Sequence, residues 1–83
     1  MTTLLSIQTK TSERIAELLK EKNMKQRELA DRMFISEALV SRWVNGHRMP
    51  SVIDIFYMAR IFDTTTDYLI GATDERNRKC LTE

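Results

Sequence analysis

Two short helical patterns, separated by only a few residues, dominate the segment "ADRMFISEALVSRWVNG", residues 30–46. The second pattern starts behind Ser36, a favourable N-cap residue, and stops at Asn45-Gly46, where Gly supplies the positive φ that ends many helices. A helix this short is not stable alone in water. The chain must therefore fold so that other helices hold this one, while its more polar side remains outside the core.

The length and composition favour one small helical domain. The chain has 83 residues, of which 42% are hydrophobic and 30% charged, as in globular proteins. It contains only two Gly and one Pro, which argues against a β-sandwich with its many turns. We therefore predict an all-α fold. A domain of this size leaves little room for an enclosed active site.

Net charge, cysteine content and the N-terminal segment exclude several classes of protein. The formal net charge of +1 identifies no partner, so a nucleic-acid binder would have to cluster its basic residues locally. The single cysteine, Cys80, cannot form an internal disulfide, and no Cys/His cluster has metal-ligand spacing. Residues 1–10 lack the features of a signal peptide, and no apolar run reaches membrane-spanning length. We predict a cytoplasmic protein without metal or cofactor.

Periodicity and cap residues divide the chain into an arm, a domain and a tail. Residues 1–11 show no clear period and are interpreted as an arm, residues 12–71 as the domain, and residues 72–83 as a charged tail. The segment "VIDIFYMARIF" is apolar almost all round, which predicts a central, well-buried fourth helix. The predicted cap of the first helix, which starts near Glu13, is Thr11 or Ser12. The second helix is predicted over "KQRELADRM", with the poor cap Lys25. Ser36 caps the third helix, Ser51 the fourth and Thr65 the fifth, which stops at Gly71.

The third helix has two unlike faces. At about 100° per residue, Val40 and Trp43 fall on one side, where they would anchor the helix to the domain. The opposite side carries a short acid, a methyl group, a hydroxyl and a guanidinium rather than several long charges. This composition suits close approach to a surface. The four residues of this side are Glu37, Ala38, Ser41 and Arg42.

Taken together, these motifs resemble the Cro/C1-type (XRE) helix-turn-helix family of phage and bacterial repressors. The resemblance covers roughly residues 12–71 and lies in "RIAELLKEKNMKQRELADRM", "ISEALVSRWVNGHRMPS" and "MARIFDTTTDYLIG". It implies a compact five-helix bundle of the lambda-repressor-like type, with the helix-turn-helix in the second and third helices. It also implies that the third helix lies in the major groove of double-stranded DNA. The residues that carry it are Gln26, Leu29-Ala30, Ile35-Ser36, Val40-Ser41, Trp43, Asn45-Gly46, Pro50-Ser51 and Asp67-Tyr68-Leu69.

The outer side of the third helix supplies the candidate base contacts. The planar fork of Arg42 matches O6 and N7 of guanine, the commonest specific contact. Ala38 is a candidate for a thymine methyl group, and Glu37 for cytosine N4. Ser41 is a candidate donor to a base or a phosphate. For each residue a structural or solvated role remains open, and for Glu37 the favourable position in the first helical turn is such a role.

Residues at the ends of the second and third helices supply the candidate phosphate contacts. In the resembled family a Gln in the place of Gln26 commonly meets a phosphate, and helix N-termini bind anions. Lys25 and Arg27 would strengthen this contact, which fixes register without reading sequence. The loop after the third helix adds Asn45, His47 and Arg48.

Two departures from the family pattern stand out. Many relatives have Gly in the place of Phe34, so we predict that Phe34 has a backbone conformation that Gly adopts more easily. Many have Arg and Glu in the places of Leu19 and Val44, where these residues pair across the first and third helices. Here both are apolar, and we predict that they touch.

The main hypothesis is therefore a sequence-specific DNA-binding transcriptional regulator, a repressor that binds a near-palindromic operator as a homodimer. The alternative is an antitoxin or adaptor that uses this fold to hold a protein partner. An exposed apolar patch outside the DNA face would favour that alternative, with Phe34, Leu39, Tyr57 and Leu81 as residues to inspect. An enzyme is not expected, because no nucleophile, base and orienting group recur at useful spacing.

Overall fold

The computed structural model describes residues 4–73, which form five α-helices and no strand. The all-α, five-helix prediction is therefore confirmed, whereas residues 74–83 of the predicted tail, with Cys80, lie outside the described part. No helix in the described range is long and apolar enough to cross a membrane. The helices are α1 (Leu4–Glu21), α2 (Gln26–Met33), α3 (Glu37–Val44), α4 (Val52–Ile61) and α5 (Thr66–Leu69).

The predicted N-caps of three helices are confirmed. The Ser36 hydroxyl accepts a hydrogen bond from the Leu39 amide (3.2 Å), and the Thr65 hydroxyl accepts one from the Tyr68 amide (3.0 Å). At α4, the Asp54 amide donates to the Ser51 hydroxyl (3.1 Å), and the Ser51 amide donates to the Asp54 carboxylate (3.3 Å). These caps satisfy amides that have no partner within the helix.

The predicted start of α1 is wrong. The helix begins at Leu4 rather than near Glu13, so residues 4–11, assigned to the arm, form its first turns. Thr11 and Ser12 do not cap the helix. Thr11 is completely buried, and the Ser12 hydroxyl donates to a carbonyl oxygen of another helix, that of Val44. Contacts with distant parts of the chain, which local periodicity does not reveal, stabilise these early turns.

Each of the five helices ends at a residue with left-handed backbone. These residues are Asn23 (φ 55°), Phe34 (59°), Gly46 (78°), Asp63 (57°) and Gly71 (83°). In every case the amide of the following residue donates to a carbonyl five positions earlier, which satisfies an otherwise unpaired group. The pairs are Met24 to Leu19, Ile35 to Ala30, His47 to Arg42, Thr64 to Ala59 and Ala72 to Asp67, at 2.8–3.0 Å.

The left-handed Phe34 confirms the prediction made from the missing glycine. Phe34 is 94% exposed, so packing within the described part of the chain does not offset the backbone strain. A left-handed non-glycine residue costs about 1–2 kcal/mol. Phe34→Gly should therefore stabilise the domain by about 1 kcal/mol, allowing for the added flexibility of Gly in the unfolded chain.

Thermal unfolding followed by circular dichroism measures this effect, and Phe34→Ala is the matched control. Alanine removes the ring but keeps the Cβ atom that causes the strain, so Phe34→Ala should gain nothing. Equal stability of the Gly and Ala variants would show that the left-handed conformation at Phe34 carries no strain.

Only one side of α4 belongs to the core. The prediction that this helix is buried almost all round is therefore wrong. Ile55, Met58 and Ala59 are buried, whereas Val52, Ile53, Phe56 and Tyr57 are at least half exposed. In so small a domain the other helices reach only one side of α4. The core residues are Ile15, Leu18, Leu19, Leu29, Ala30, Val40, Trp43, Ile55, Met58, Ala59, Phe62, Tyr68 and Leu69.

The positions of Leu19 and Val44 suit the predicted apolar pair. Leu19 belongs to the buried core, and Val44 is half-buried and packs against that core. The two helices that carry them, α1 and α3, pack together. Direct contact between the two side chains stays a prediction.

A buried arginine joins α1 to the end of the domain. The Arg14 guanidinium lies 3.9 Å from the centroid of the Tyr68 ring and donates to the carbonyl oxygens of Tyr68 and Thr73, at 3.2 Å each. The Tyr68 hydroxyl in turn donates to the Glu17 carboxylate (3.2 Å). Stacking and carbonyl contacts compensate for the burial of this charge and hold α5 against α1.

Candidate nucleic-acid interface

The two faces of α3 are as unlike in the structure as in the sequence. Val40 and Trp43 are 0% and 1% exposed and join the core. On the opposite side, Glu37, Ala38 and Arg42 are exposed, and Ser41 is half-buried. We refer to Glu37, Ala38, Ser41 and Arg42 as the outer face of α3. The core thus fixes the rotation of the helix about its axis, and this rotation turns the outer face toward solvent.

Two side chains of α1 hold the C-terminal end of α3. The Ser12 hydroxyl donates to the Val44 carbonyl oxygen (2.6 Å), and the Gln8 side-chain amide donates to the Gly46 carbonyl oxygen (2.8 Å). Carbonyl groups at a helix end have no partner within the helix. With the Ser36 cap at the other end, α3 is therefore anchored at both ends as well as along its buried side.

Sequence reasoning missed this anchor. Gln8 and Ser12 lie 38 and 32 residues before their partners, so no local pattern connects them. The available signal was their spacing: four residues apart, both polar, and one helical turn from each other on a single face. That signal has meaning only once residues 4–11 are recognised as helical.

Arg42 and Ser41 lie close to the loop that ends α3. The Asn45 side-chain amide donates to the Ser41 hydroxyl oxygen (3.2 Å), so Asn45 and Ser41 lie side by side on one surface. This bond uses the Ser41 oxygen as acceptor and leaves its proton for another partner. The Arg42 backbone carbonyl accepts from the amides of His47 (2.8 Å) and Arg48 (3.3 Å), which folds the loop back on the helix end.

The loop itself exposes three of the predicted phosphate-binding residues, Asn45, His47 and Arg48. Gly46 turns the chain between them with φ of 78°, a conformation that L-residues rarely adopt. His47 is the only histidine of the chain. Within residues 4–73 no group of three or more His, Cys, Asp or Glu side chains is arranged to hold a metal ion.

The start of α2 has no side-chain cap within the described chain. Lys25 precedes the helix in extended conformation and makes no capping hydrogen bond. Glu28, which a capping box would turn back toward Lys25, instead accepts a hydrogen bond from the Arg32 guanidinium (3.2 Å). Gln26 is half-buried, while Lys25 and Arg27 are exposed. The first turn of α2 thus has no side-chain cap of its own, and helix N-termini are places where anions bind.

The structure places the predicted site residues in three adjoining elements: the start of α2, the outer face of α3 and the loop after α3. Helices α2 and α3 pack directly against each other, as a helix-turn-helix pair requires. Across these three elements four cations, Lys25, Arg27, Arg42 and Arg48, outnumber the carboxylates of Glu37 and Glu28, and Glu28 pairs with Arg32. The nearly neutral chain thus places positive charge locally, as a nucleic-acid binder must.

Comparison with known proteins identifies the family. Residues 15–69 match the model of a helix-turn-helix family, so the chain belongs to that family, whose Cro/C1-type members it resembled from sequence. The family consists of DNA-binding transcriptional regulators rather than enzymes. No solved structure matches the chain significantly.

Two curated relatives agree with this assignment. The chain is 33% identical over 64 residues to the HTH-type transcriptional regulator AnsR of Bacillus subtilis, covering 77% of this chain and 55% of that protein. It is 25% identical over 63 residues to the HTH-type transcriptional activator BcrR of Enterococcus faecalis, covering 76% of this chain and 31% of that protein. The match thus spans only about half of one relative and a third of the other.

Proposed function

We propose that this chain is a cytoplasmic, sequence-specific transcriptional regulator that reads the major groove of double-stranded DNA with the outer face of α3. The main support for this proposal is that the rest of the domain holds α3 firmly in place. Its inner residues Val40 and Trp43 are fully buried, its two ends are hydrogen-bonded, and its outer face remains exposed. A rigid helix with one exposed face of short side chains suits insertion into the major groove.

Each residue of the outer face has a chemical role in this proposal. Arg42 donates both arms of its guanidinium to O6 and N7 of a guanine. The Ser41 proton, not used by Asn45, is donated to a base or a phosphate. The methyl group of Ala38 contacts a thymine methyl group, and the Glu37 carboxylate accepts from cytosine N4.

The surrounding residues position the helix on the DNA backbone. A phosphate lies against the uncapped start of α2, where Gln26 and the first amides donate to it, with Lys25 and Arg27 nearby. On the other side of α3, the loop residues Asn45, His47 and Arg48 contact the next phosphates. Such contacts contribute affinity and register but carry no base preference.

The functional unit in this proposal is a homodimer. Helix-turn-helix dimers place two recognition helices about one helical turn of DNA apart, so the operator is near-palindromic.

Action as a repressor follows from the resemblance to phage and bacterial repressors. Since one relative is an activator, a reporter gene with the operator beside its promoter decides the direction: a repressor lowers expression, whereas increased expression overturns this part of the proposal.

Selection of genomic fragments with the purified chain, at two salt concentrations, tests the function as a whole. Specific binding should enrich a few fragments that share a two-fold symmetric sequence at both concentrations, because the nonspecific component falls steeply with salt. If no shared sequence is enriched at either concentration, the proposed DNA reading is wrong, and the alternative of an antitoxin or adaptor that holds a protein partner takes its place.

The phosphate role of Gln26 predicts a particular signature for Gln26→Ala. This variant should bind every sequence more weakly than wild type without altering base preference. The slope of log affinity against log salt should barely change, since an uncharged side chain releases no counterion, whereas Arg27→Ala should flatten it by about one. Titration of one operator and one unrelated duplex at several salt concentrations measures all three effects. A changed base preference in Gln26→Ala would assign this residue to base reading instead.

A further inference from the structure

A groove of about 480 Å³ lies between the end of α2 and the outward side of α4. Its lining is mostly apolar, and none of the outer-face residues of α3 belongs to it. We call it the α2–α4 groove and define it by its six lining residues, Arg32, Met33, Phe34, Tyr57, Arg60 and Ile61.

The groove continues into a larger exposed apolar surface. Phe34 is 94% and Tyr57 55% exposed, and beside Tyr57 the ring of Phe56 lies 5.9 Å away in an edge-to-face arrangement. Val52 and Ile53 extend the exposed apolar surface along α4. Soluble monomers rarely leave so many large apolar side chains together at the surface unless the surface binds something.

Phe34 is costly to the fold. It combines a left-handed backbone, which favours Gly, with a ring that is almost entirely exposed to water. Neither feature stabilises the part of the chain that the structure describes. Local strain of this kind concentrates at functional sites, where another interaction uses the strained residue.

The charges around the groove indicate the chemistry of the partner. Two guanidinium groups, those of Arg32 and Arg60, line it, and no carboxylate is among its lining residues. Arg32 pairs with Glu28 only across the exposed helix surface, where such pairs contribute little. Arg60 lies over the Phe56 ring at 5.7 Å and makes no ion pair with a described residue.

We infer that the α2–α4 groove binds an acidic, amphipathic segment of another protein. Apolar side chains of this segment pack against Phe34, Tyr57 and Ile61. Its carboxylates pair with Arg60 and Arg32, and Arg60 thereby keeps its aromatic contact while gaining a charged partner. This is a second surface, additional to DNA reading, and its existence does not depend on the DNA function.

Charge also argues against two other occupants. A second copy docked through the same groove would bring four guanidinium groups, Arg32 and Arg60 of both copies, into one interface to which the groove lining adds no carboxylate. Residues 74–83 of this chain contain three acids and three cations, so they have no net negative charge to match the groove. Both occupants are distinguishable outcomes of the experiment below.

Selection of random 12-residue peptides displayed on phage, with the full chain as target, tests this inference without knowledge of the natural partner. Enriched peptides should combine Leu or aromatic residues with Asp and Glu. A labelled copy of the best peptide should bind Phe34→Asn and Arg60→Glu at least tenfold more weakly than wild type. Asn tolerates the left-handed conformation, so Phe34→Asn should fold, as circular dichroism verifies, and should bind DNA as wild type does.

Lys22→Glu is the matched control for Arg60→Glu, since it makes the same charge change at an exposed position outside the groove. It should leave peptide affinity within twofold of wild type. Enrichment of basic peptides, no enrichment at all, or equal affinity for Phe34→Asn and wild type would overturn the inference. A wild-type dimer in sedimentation that Phe34→Asn converts to monomer would instead assign the groove to a second copy.

Discussion

Trp43→Ala should unfold most of the protein at room temperature or leave it only marginally folded. Trp43 is 1% exposed and lies in the core between α3 and the rest of the domain. Truncating a buried Trp to Ala typically costs about 3–5 kcal/mol, which combines lost burial with a large cavity. Domains of this size are at the lower end of the usual range of about 5–15 kcal/mol, so little stability would remain.

Urea unfolding followed by far-ultraviolet circular dichroism measures the free energy of unfolding, since Trp43 is the only tryptophan and its fluorescence disappears with the substitution. The neighbouring Arg42→Ala is the matched control: it changes an exposed residue of the same helix and should alter stability by no more than about 0.5 kcal/mol. A Trp43→Ala variant within 1 kcal/mol of wild type would show that α3 does not depend on this anchor.

Arg42→Ala should have the opposite profile, with intact fold and impaired DNA reading. Losing a bidentate contact with guanine costs about 1–3 kcal/mol per contact, which corresponds to about 5- to 150-fold in affinity. The loss should fall on the specific operator far more than on unrelated DNA. Titration of both duplexes at one salt concentration measures the two affinities, and an equal loss for both would mean that Arg42 only neutralises phosphates.

Local chemistry made much of the fold predictable. Ser36, Ser51 and Thr65 act as caps because a cap depends on residues within one turn of it. The left-handed backbone of Phe34 was predicted on different grounds, from the Gly that many members of the resembled family have in its place. The two faces of α3 followed from helical periodicity alone, and Val40 and Trp43 are buried as that periodicity predicts.

Features that depend on residues far away in the sequence could not be predicted from cap residues or helical periodicity. The first turns of α1 showed no apolar period, and they gain a role only because Gln8, with the adjoining Ser12, donates to carbonyl oxygens at the end of α3, those of Gly46 and Val44. Likewise, the sequence of α4 shows that Val52 and Phe56 are apolar, but it does not show that the helices within residues 4–73 leave them exposed. The identity of DNA contacts is non-local in the same sense, since the second participant is another molecule.

In the proposed function, the outer face of α3 reads base identity, whereas its inner face only holds the helix in place. Selection from a library of randomised duplexes, performed in parallel with wild type and Arg42→Ala, tests this most directly. Wild type should yield a two-fold symmetric motif with a conserved G·C pair in each half-site, and Arg42→Ala should yield the same motif with that position relaxed. If Arg42→Ala retains both its affinity and its preference at every position, α3 does not read DNA through this face.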